Sequence, residues 1–144
     1  DQQATVAMTI GRVIQLQMSP TSTALTDPTP AHFDAGYNST TGPVLTVSAN
    51  MPWTLRMRAA TAVWGATNTS PGEPARTNKP AADLLWSRTV AGTYVAMPTA
   101  NVTLTNAGAT ASNVTTLFYR TNYSWLLDTP GIYTLGIILT LTSP

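Results

Sequence analysis

The stretch WTLRMRA, residues 53–59, alternates apolar and polar side chains without a break. The apolar side chains are Trp53, Leu55, Met57 and Ala59. Successive side chains of a strand point to opposite faces, so these four residues share one face and the polar residues share the other. This pattern predicts a half-buried β-strand with Trp53 in the core.

Similar alternation recurs along the chain between Pro- and Gly-containing turns. The further predicted strands are residues 4–10, 12–18, 43–50, 93–97, 101–105, 114–127 and 132–142. Helix-favouring Glu and Lys occur once each, and only KPAADLLWS (79–87) suits a short helical turn. The sequence therefore predicts an all-β fold, a single antiparallel β-sandwich that is immunoglobulin-like or jelly-roll-like.

The composition restricts the class of protein. Charged residues make up 9% of the chain, against about 25% in ordinary soluble domains. The net charge of +1 gives no electrostatic reason to expect nucleic acid as a partner, and no apolar run is long enough to predict a membrane span. A surface rich in Thr and poor in charge favours an extracellular, cell-surface protein, and Asp1 in place of Met is consistent with a cleaved signal peptide.

The titratable residues favour neither catalysis nor metal binding. The chain has six acidic residues, one His and no Cys, and no two acidic residues stand at the spacing of a paired-carboxylate motif. His32 and Asp34 flank Phe33 and would share a side of an extended segment, but a solvated loop His is the preferred interpretation. The sequence predicts no enzyme, no cofactor and no metal site.

The N-terminal stretch ATVAMTIGRVIQLQM, residues 4–18, is about twice as long as a usual strand. Val6, Met8 and Ile10 lie on one face, and Gly11-Arg12 interrupts the pattern. A strand at a free terminus without Lys or Pro invites pairing with another chain. One hypothesis is that residues 12–18 pair within the domain while residues 1–10 complete the sheet of a neighbour, with Gly11 and Arg12 at the junction.

The alternative for this stretch is one long strand that bends at Gly11 and passes between the two sheets of a single sandwich. The stretch alone does not decide between these two interpretations. The first divides the chain into an N-terminal arm, residues 1–11, which is the candidate donor strand, and a β-sandwich domain, residues 12–144.

The alternating arm TVAMTI, the low charge, the lack of helix and the C-terminal YTLGIILTLTSP together resemble a known group. These are secreted, Thr-rich β-sandwich subunits of microbial extracellular filaments assembled by donor-strand complementation. The chain lacks the usual cysteine pair of usher-assembled pilins and looks closer to cysteine-free filament proteins. The resemblance implies a structural subunit that polymerises head-to-tail with identical subunits into a filament or pilus, with Val6, Met8 and Ile10 as buried plugs.

A carbohydrate-binding or adhesin module is the alternative function. Trp64 and Trp86 flank the polar loop of residues 65–80, and exposed aromatic rings stack on sugars. The sequence also has the acceptor pattern for N-glycosylation, Asn-x-Ser/Thr, which makes glycans candidate partners. The candidate sites are Asn38, Asn68, Asn101 and Asn113; a fifth match, Asn122, falls within a predicted strand.

Overall fold

The computed structural model describes all 144 residues, and antiparallel strands dominate it. The strands are β1 (Ile14–Ser19), β2 (Tyr37–Ala49), β3 (Trp53–Ala59), β4 (Gly65–Thr67), β5 (Leu84–Ser87), β6 (Val95–Ala96), β7 (Val102–Ala107), β8 (Thr110–Asn122), β9 (Ile132–Thr134) and β10 (Ile137–Thr142). One short helix, α1 (Pro30–Ala35), and a 3₁₀ turn (Ala81–Asp83) complete it. None of its helical segments has the length and apolar character needed to cross a membrane.

The strands form two main sheets. The first has the order β1-β2-β8-β5-β6 and the second has the order β10-β3-β7, while β4 and β9 form a separate pair. Buried side chains of both main sheets, such as Leu45 and Leu117 of the first and Leu55 and Met57 of the second, belong to one hydrophobic cluster. The predicted all-β, antiparallel, sandwich-like class is therefore confirmed.

Strand β3 occupies residues 53–59, as its alternation predicts. Its four apolar side chains are almost inaccessible to solvent, and Trp53 is 2% exposed. The strand lies between β10 and β7, so both of its edges are hydrogen-bonded. The two faces of this strand differ in their surroundings, because one packs on the core and the other faces solvent. The regular alternation in the sequence follows from this difference.

Several predicted elements differ from the structure: the strand predicted over 43–50 begins at Tyr37, and of the strand predicted over 93–97 only Val95–Ala96 is formed. Residues 132–142 do not form one strand, because the chain breaks at Leu135-Gly136 and the two halves pair with different partners, β9 with β4 and β10 with β3. The strand predicted over 114–127 ends at Asn122, and a turn follows. The Pro-rich segment 19–36 contains α1, where Pro30 occupies the first helical turn, a position that needs no amide donor.

The register of the sheets defines two ends of the sandwich. We call the end where residues 1–13 lead into β1 the arm end, and the opposite end the groove end. At the arm end, Ile14 of β1 is opposite Ala49 of β2, which is opposite Thr110 of β8. At the groove end, Tyr37 of β2 is opposite Asn122 of β8. Strand β1 runs from the arm end towards the groove end. The hydrogen bond between Arg12 and Pro144 places the C-terminus at the arm end, so β10 runs in the opposite direction to β1.

Candidate functional site

Residues 1–13 form no helix or strand, and every one of them is exposed. The alternating apolar side chains are among the most exposed of the molecule, at 94% for Val6, 81% for Met8 and 72% for Ile10. An apolar face of this kind normally packs against something. The apolar face of residues 1–10, formed by Val6, Met8 and Ile10, is therefore exposed, although the sequence pattern predicts that it is buried.

The base of the arm is fixed at the arm end of the sandwich. The amide of Val13 donates to Oδ1 of Asn50 at 2.9 Å, and Nδ2 of Asn50 donates to the carbonyl of Gly11 at 2.8 Å. Arg12 donates from Nη1 to the carbonyl of Pro144 at 2.9 Å. Gly11 and Arg12, the predicted junction, thus lie where the anchored chain ends and the free arm begins.

A groove of about 1050 Å³ occupies the other half of the molecule. Met18 and Leu25 line one wall, and Leu135, Ile137 and Leu139 line the other. The floor contains buried side chains of both the sandwich and its loops, among them Trp64, Leu84 and Tyr119. Hydrophobic side chains make up about half of the groove lining, and most of the other lining residues are Thr, Pro, Gly and Ser.

The groove exists because the first sheet lacks a full edge strand. Strand β1 pairs with β2 only from Val44 to Ala49 and ends at Ser19. The remaining half of β2, residues 37–41, pairs with β8 on one side only. The Pro-containing segment 20–28 follows the groove wall without forming a strand. Proline cannot donate to a ladder, so this segment is poorly suited to pair with β2.

The opposite wall of the groove is an unpaired strand edge. Strand β10 pairs with β3 alone and is the edge strand of its sheet. The amide of Ala60 donates to the carbonyl of Gly136 at 2.8 Å, so Gly136 faces β3. Residues of an antiparallel strand direct their backbone groups alternately to either side. The amides and carbonyls of Ile137 and Leu139 therefore face the free edge, while their side chains face the core.

A buried ion-pair cluster fixes the loops at the groove end. Lys79 is 3% exposed, and its Nζ lies 3.1 Å from Oδ2 of Asp83 and 3.0 Å from Oδ1 of Asp128. Nη1 of Arg76 lies 2.9 Å from the same Asp128 oxygen, and the amide of Ser124 donates to Asp128 Oδ2. Burial alone would raise the pKa of Asp128, but hydrogen bonds from Lys79 and Arg76 outweigh it and hold the pKa below its ordinary value.

Two tyrosines that line the groove have pKa values above the ordinary value for tyrosine. Burial raises the pKa of Tyr119, on the groove floor, to about 12. Burial also raises the pKa of Tyr123, with a smaller contribution in the same direction from the carboxylates of Asp128 and Asp27. Apart from the carboxylate of Asp27 and the Lys79–Asp128 ion pair at its end, the groove lining carries no charged side chain.

An aromatic corner, which we define as Phe33, Tyr123 and Trp125, stands at the groove end. The ring centroids of Phe33 and Trp125 are 4.7 Å apart, and Nε1 of Trp125 donates to Oδ1 of Asp34 at 3.0 Å. Trp125 is 60% exposed. It lies in the turn that follows β8.

The residues predicted for sugar stacking do not form an exposed aromatic surface. Trp64 is buried in the core, and its Nε1 donates to the carbonyl of Pro80 at 3.1 Å. Trp86 is half-buried in β5, where it lies opposite Tyr119. The prediction for Trp64 is wrong, because its ring packs in the hydrophobic core and has no face free for a sugar.

His32 belongs to α1 rather than to an extended segment, so it does not share a side with Asp34 as the sequence suggested. Its Nδ1 accepts a hydrogen bond from the amide of Thr29 at 3.0 Å, which caps the start of the helix. No three His, Asp or Glu side chains converge in an arrangement that could hold a metal ion.

The predicted glycosylation sites differ in accessibility. Asn68 and Asn101 are exposed in loops, although Oδ1 of Asn68 accepts a hydrogen bond from the amide of Ala75. Asn113 is half-buried in β8, and Asn38 is half-buried in β2. Asn122 ends β8, and its carbonyl accepts a hydrogen bond from Lys79. Asn101 is thus the candidate with the least structure to disturb.

The sequence indicated the arm but not the whole groove. The arm stands out as an alternating stretch, whereas the groove is formed by residues far apart in the sequence, among them Leu135, Ile137 and Leu139. Met18 and Leu25 were missed as wall residues. Met18 was visible only as part of an alternating strand, and Leu25 only as an isolated apolar residue in a polar segment.

The structure therefore contains an exposed apolar arm at one end and an apolar groove with a free strand edge towards the other, within one chain. A comparison with protein-family models and a comparison with curated proteins both find no match to this sequence.

Proposed function

We propose that this chain is the structural subunit of an extracellular filament or pilus, and that it polymerises head-to-tail with identical subunits. In this proposal residues 1–10 of one subunit enter the groove of the next as a strand. Val6, Met8 and Ile10 fill the space between the sheets, and Gly11 and Arg12 mark the point where the chain leaves its own domain.

The observation that carries the proposal is the placement of the arm and the groove towards opposite ends of the sandwich. A contact between two different surfaces of the same molecule does not close on itself unless a rotation returns it to the start. With the arm anchored at Asn50 and the groove beyond Met18, each added subunit presents a new groove for the next arm. Such a contact generates a linear assembly.

Burial of the arm's apolar side chains in the groove would provide a hydrophobic driving force for polymerisation. Each of the three apolar side chains gains about 2 kcal/mol when it moves from water into an apolar groove. Backbone hydrogen bonds along a free strand edge add register and further stability. The low charge of the surface also suits lateral packing of subunits, because few ion-bearing side chains would need to be desolvated.

Deletion of residues 1–10 tests the proposal. We expect the full chain to form filaments with a regular axial repeat in negative-stain electron microscopy. The truncated chain should form no filaments and should be a monomer with an open groove that is prone to aggregate, as size-exclusion chromatography would show. Addition of a synthetic peptide of residues 1–12 should then occupy that groove and suppress aggregation of the truncated chain.

A matched peptide with Val6, Met8 and Ile10 replaced by Ser is the control and should not bind. The proposal fails if the truncated chain polymerises like the full chain, or if the full chain remains a discrete monomer at every concentration examined.

A further inference from the structure

We infer that the free edge of β10 receives the arm, that the arm runs antiparallel to β10, and that Val6 lies opposite Leu139, Met8 opposite Ile137 and Ile10 opposite Leu135. This inference rests on the proposed function, because it specifies how the arm of a second copy sits in the groove. The orientation, the edge and the register each follow from a separate observation.

The direction follows from the two ends of the molecule. Strand β10 runs from the groove end, at Ile137, towards the arm end, where Arg12 donates to Pro144. When a neighbouring subunit approaches the groove end, its β-sandwich domain stays outside that end. The neighbour's Ile10, which is next to its sandwich, therefore lies at the groove end, and the neighbour's Asp1 lies further along the groove, towards the arm end of the acceptor. The neighbour's arm, read from Asp1 to Ile10, then runs from the arm end to the groove end of the acceptor, opposite to β10.

The edge follows from the hydrogen-bonding pattern. Gly136 faces β3 because its carbonyl accepts from Ala60, and the amide of Ala59 points the other way, to Pro98 at 2.7 Å. By alternation along β10, the amides and carbonyls of Ile137 and Leu139 have no ladder partner in β3. These residues present donors and acceptors to the groove at every second position, which is what an added antiparallel strand requires.

The register follows from the side chains that line the groove. Leu135, Ile137 and Leu139 line it, whereas Leu141 does not. The arm also offers three apolar side chains at alternate positions, so the central ones, Met8 and Ile137, fall opposite each other. Directly opposed residues in an antiparallel pair project to the same face. All six side chains then point into the space between the sheets.

The same geometry distinguishes a neighbour's arm from the chain's own arm. If residues 1–10 folded back at Gly11 into their own groove, they would run from the groove end to the arm end, parallel to β10. Val6 would then lie near Leu135 and not near Leu139. These two positions are about 13 Å apart along β10, which is far beyond the reach of a disulfide.

Paired cysteines test the inference, since the chain has no Cys of its own. One variant carries Val6→Cys with Leu139→Cys, and its matched control carries Val6→Cys with Leu135→Cys. The single variant Val6→Cys measures cross-linking by chance. Directly opposed residues in a hydrogen-bonded pair have Cα atoms about 5.5 Å apart, within the range of a disulfide. Filaments are collected, oxidised and resolved on a non-reducing gel.

We expect a ladder of covalent multimers for Val6→Cys with Leu139→Cys and at least tenfold less for the control pair. A ladder from the control pair, or filaments that cross-link in neither pair, would overturn the inference and leave the proposed function standing. A disulfide within one chain in the control pair would show self-insertion and overturn both.

The absence of filaments from the unmodified chain would overturn the proposed function itself. If the Val6→Cys with Leu139→Cys variant fails to fold, Met8→Cys with Ile137→Cys replaces it. This pair must give a ladder of covalent multimers, because Met8 also lies near Ile137 when the arm folds back and would then cross-link within one chain. Failure of that central pair to cross-link in intact filaments contradicts the assigned edge and register.

Discussion

Arg12 and Pro144 lie at opposite termini of the chain, yet Nη1 of Arg12 donates a 2.9 Å hydrogen bond to the carbonyl of Pro144. This contact brings the base of the N-terminal arm next to the end of β10. The groove opens beside the beginning of β10, near Ile137. Strand β10 thus extends from the groove, where an arm can enter, to the base of the chain's own arm.

Replacement of Met8 by Asp should abolish filament growth without destabilising the subunit. Met8 is 81% exposed in the free subunit, so the substitution removes no internal contact. In the groove, an unpaired carboxylate would be buried among apolar side chains, at a cost of several kcal/mol. Light scattering during polymerisation measures the effect, and thermal unfolding of the monomer should be unchanged.

Thr9→Asp is the matched control for Met8→Asp. Its side chain points away from the space between the sheets in the assigned pairing, so growth should continue at a similar rate. Equal inhibition by the two substitutions would contradict the assignment of Val6, Met8 and Ile10 as the buried face.

Polymerisation should shield Trp125 from solvent. Trp125 is 60% exposed and lies at the groove end, where the neighbour's body would sit, whereas Trp53 and Trp64 are buried in the core. We expect the fraction of Trp fluorescence quenched by acrylamide to fall when subunits assemble. Trp125→Phe should remove most of that change, and an unaltered quenching profile on assembly would place the contact elsewhere.

The subunit should lose stability in acid through Asp128. Ion pairs with Lys79 and Arg76 lower the folded-state pKa of this carboxyl below the ordinary value of about 3.9 that applies in the unfolded chain. A depressed folded pKa stabilises the fold above pH 4, and the stabilisation is lost as the pH falls through the lowered folded pKa. Urea unfolding between pH 7 and pH 2 measures this dependence.

Asp128→Asn should cost about 3 kcal/mol at neutral pH, because it leaves Lys79 buried with one partner fewer. It should also flatten the acid part of the curve. Glu73→Gln is the control, since Glu73 is exposed and forms no ion pair. The account of this cluster is contradicted if Asp128→Asn keeps the full acid dependence of the unmodified chain.

The strands with one buried face were predictable from the sequence, and those that depend on distant partners were not. Strand β3 matches its prediction because local alternation and the core impose the same period. Residues 132–142 alternate just as regularly, and their five alternating apolar residues are half-buried: Tyr133, Leu135, Ile137, Leu139 and Leu141. The division of this stretch into β9 and β10 depends on the pairing with β4 and β3. The register with partners far along the chain cannot be derived from alternation alone.

The candidate site was predictable on the arm and only partly predictable on the groove. Val6, Met8 and Ile10 stand out in the sequence because they are large apolar residues that alternate with the smaller Thr5, Ala7 and Thr9. The groove depends on where β1 stops, and the sequence predicted that strand over residues 12–18 without indicating that it would cover only half of β2. The burial of Trp64 was not predicted, because the sequence placed this residue at the edge of the polar loop of residues 65–80.

Amide hydrogen exchange along β10 shows whether a neighbour's arm pairs with the free edge of this strand. If a neighbour's arm pairs with the free edge, the amides of Ile137 and Leu139 exchange slowly in the filament and rapidly in the subunit that lacks residues 1–10. The amides of Ile138 and Thr140, which face β3, are slow in both and serve as the internal reference. Equally rapid exchange of Ile137 and Leu139 in the filament would contradict insertion of the arm at this edge.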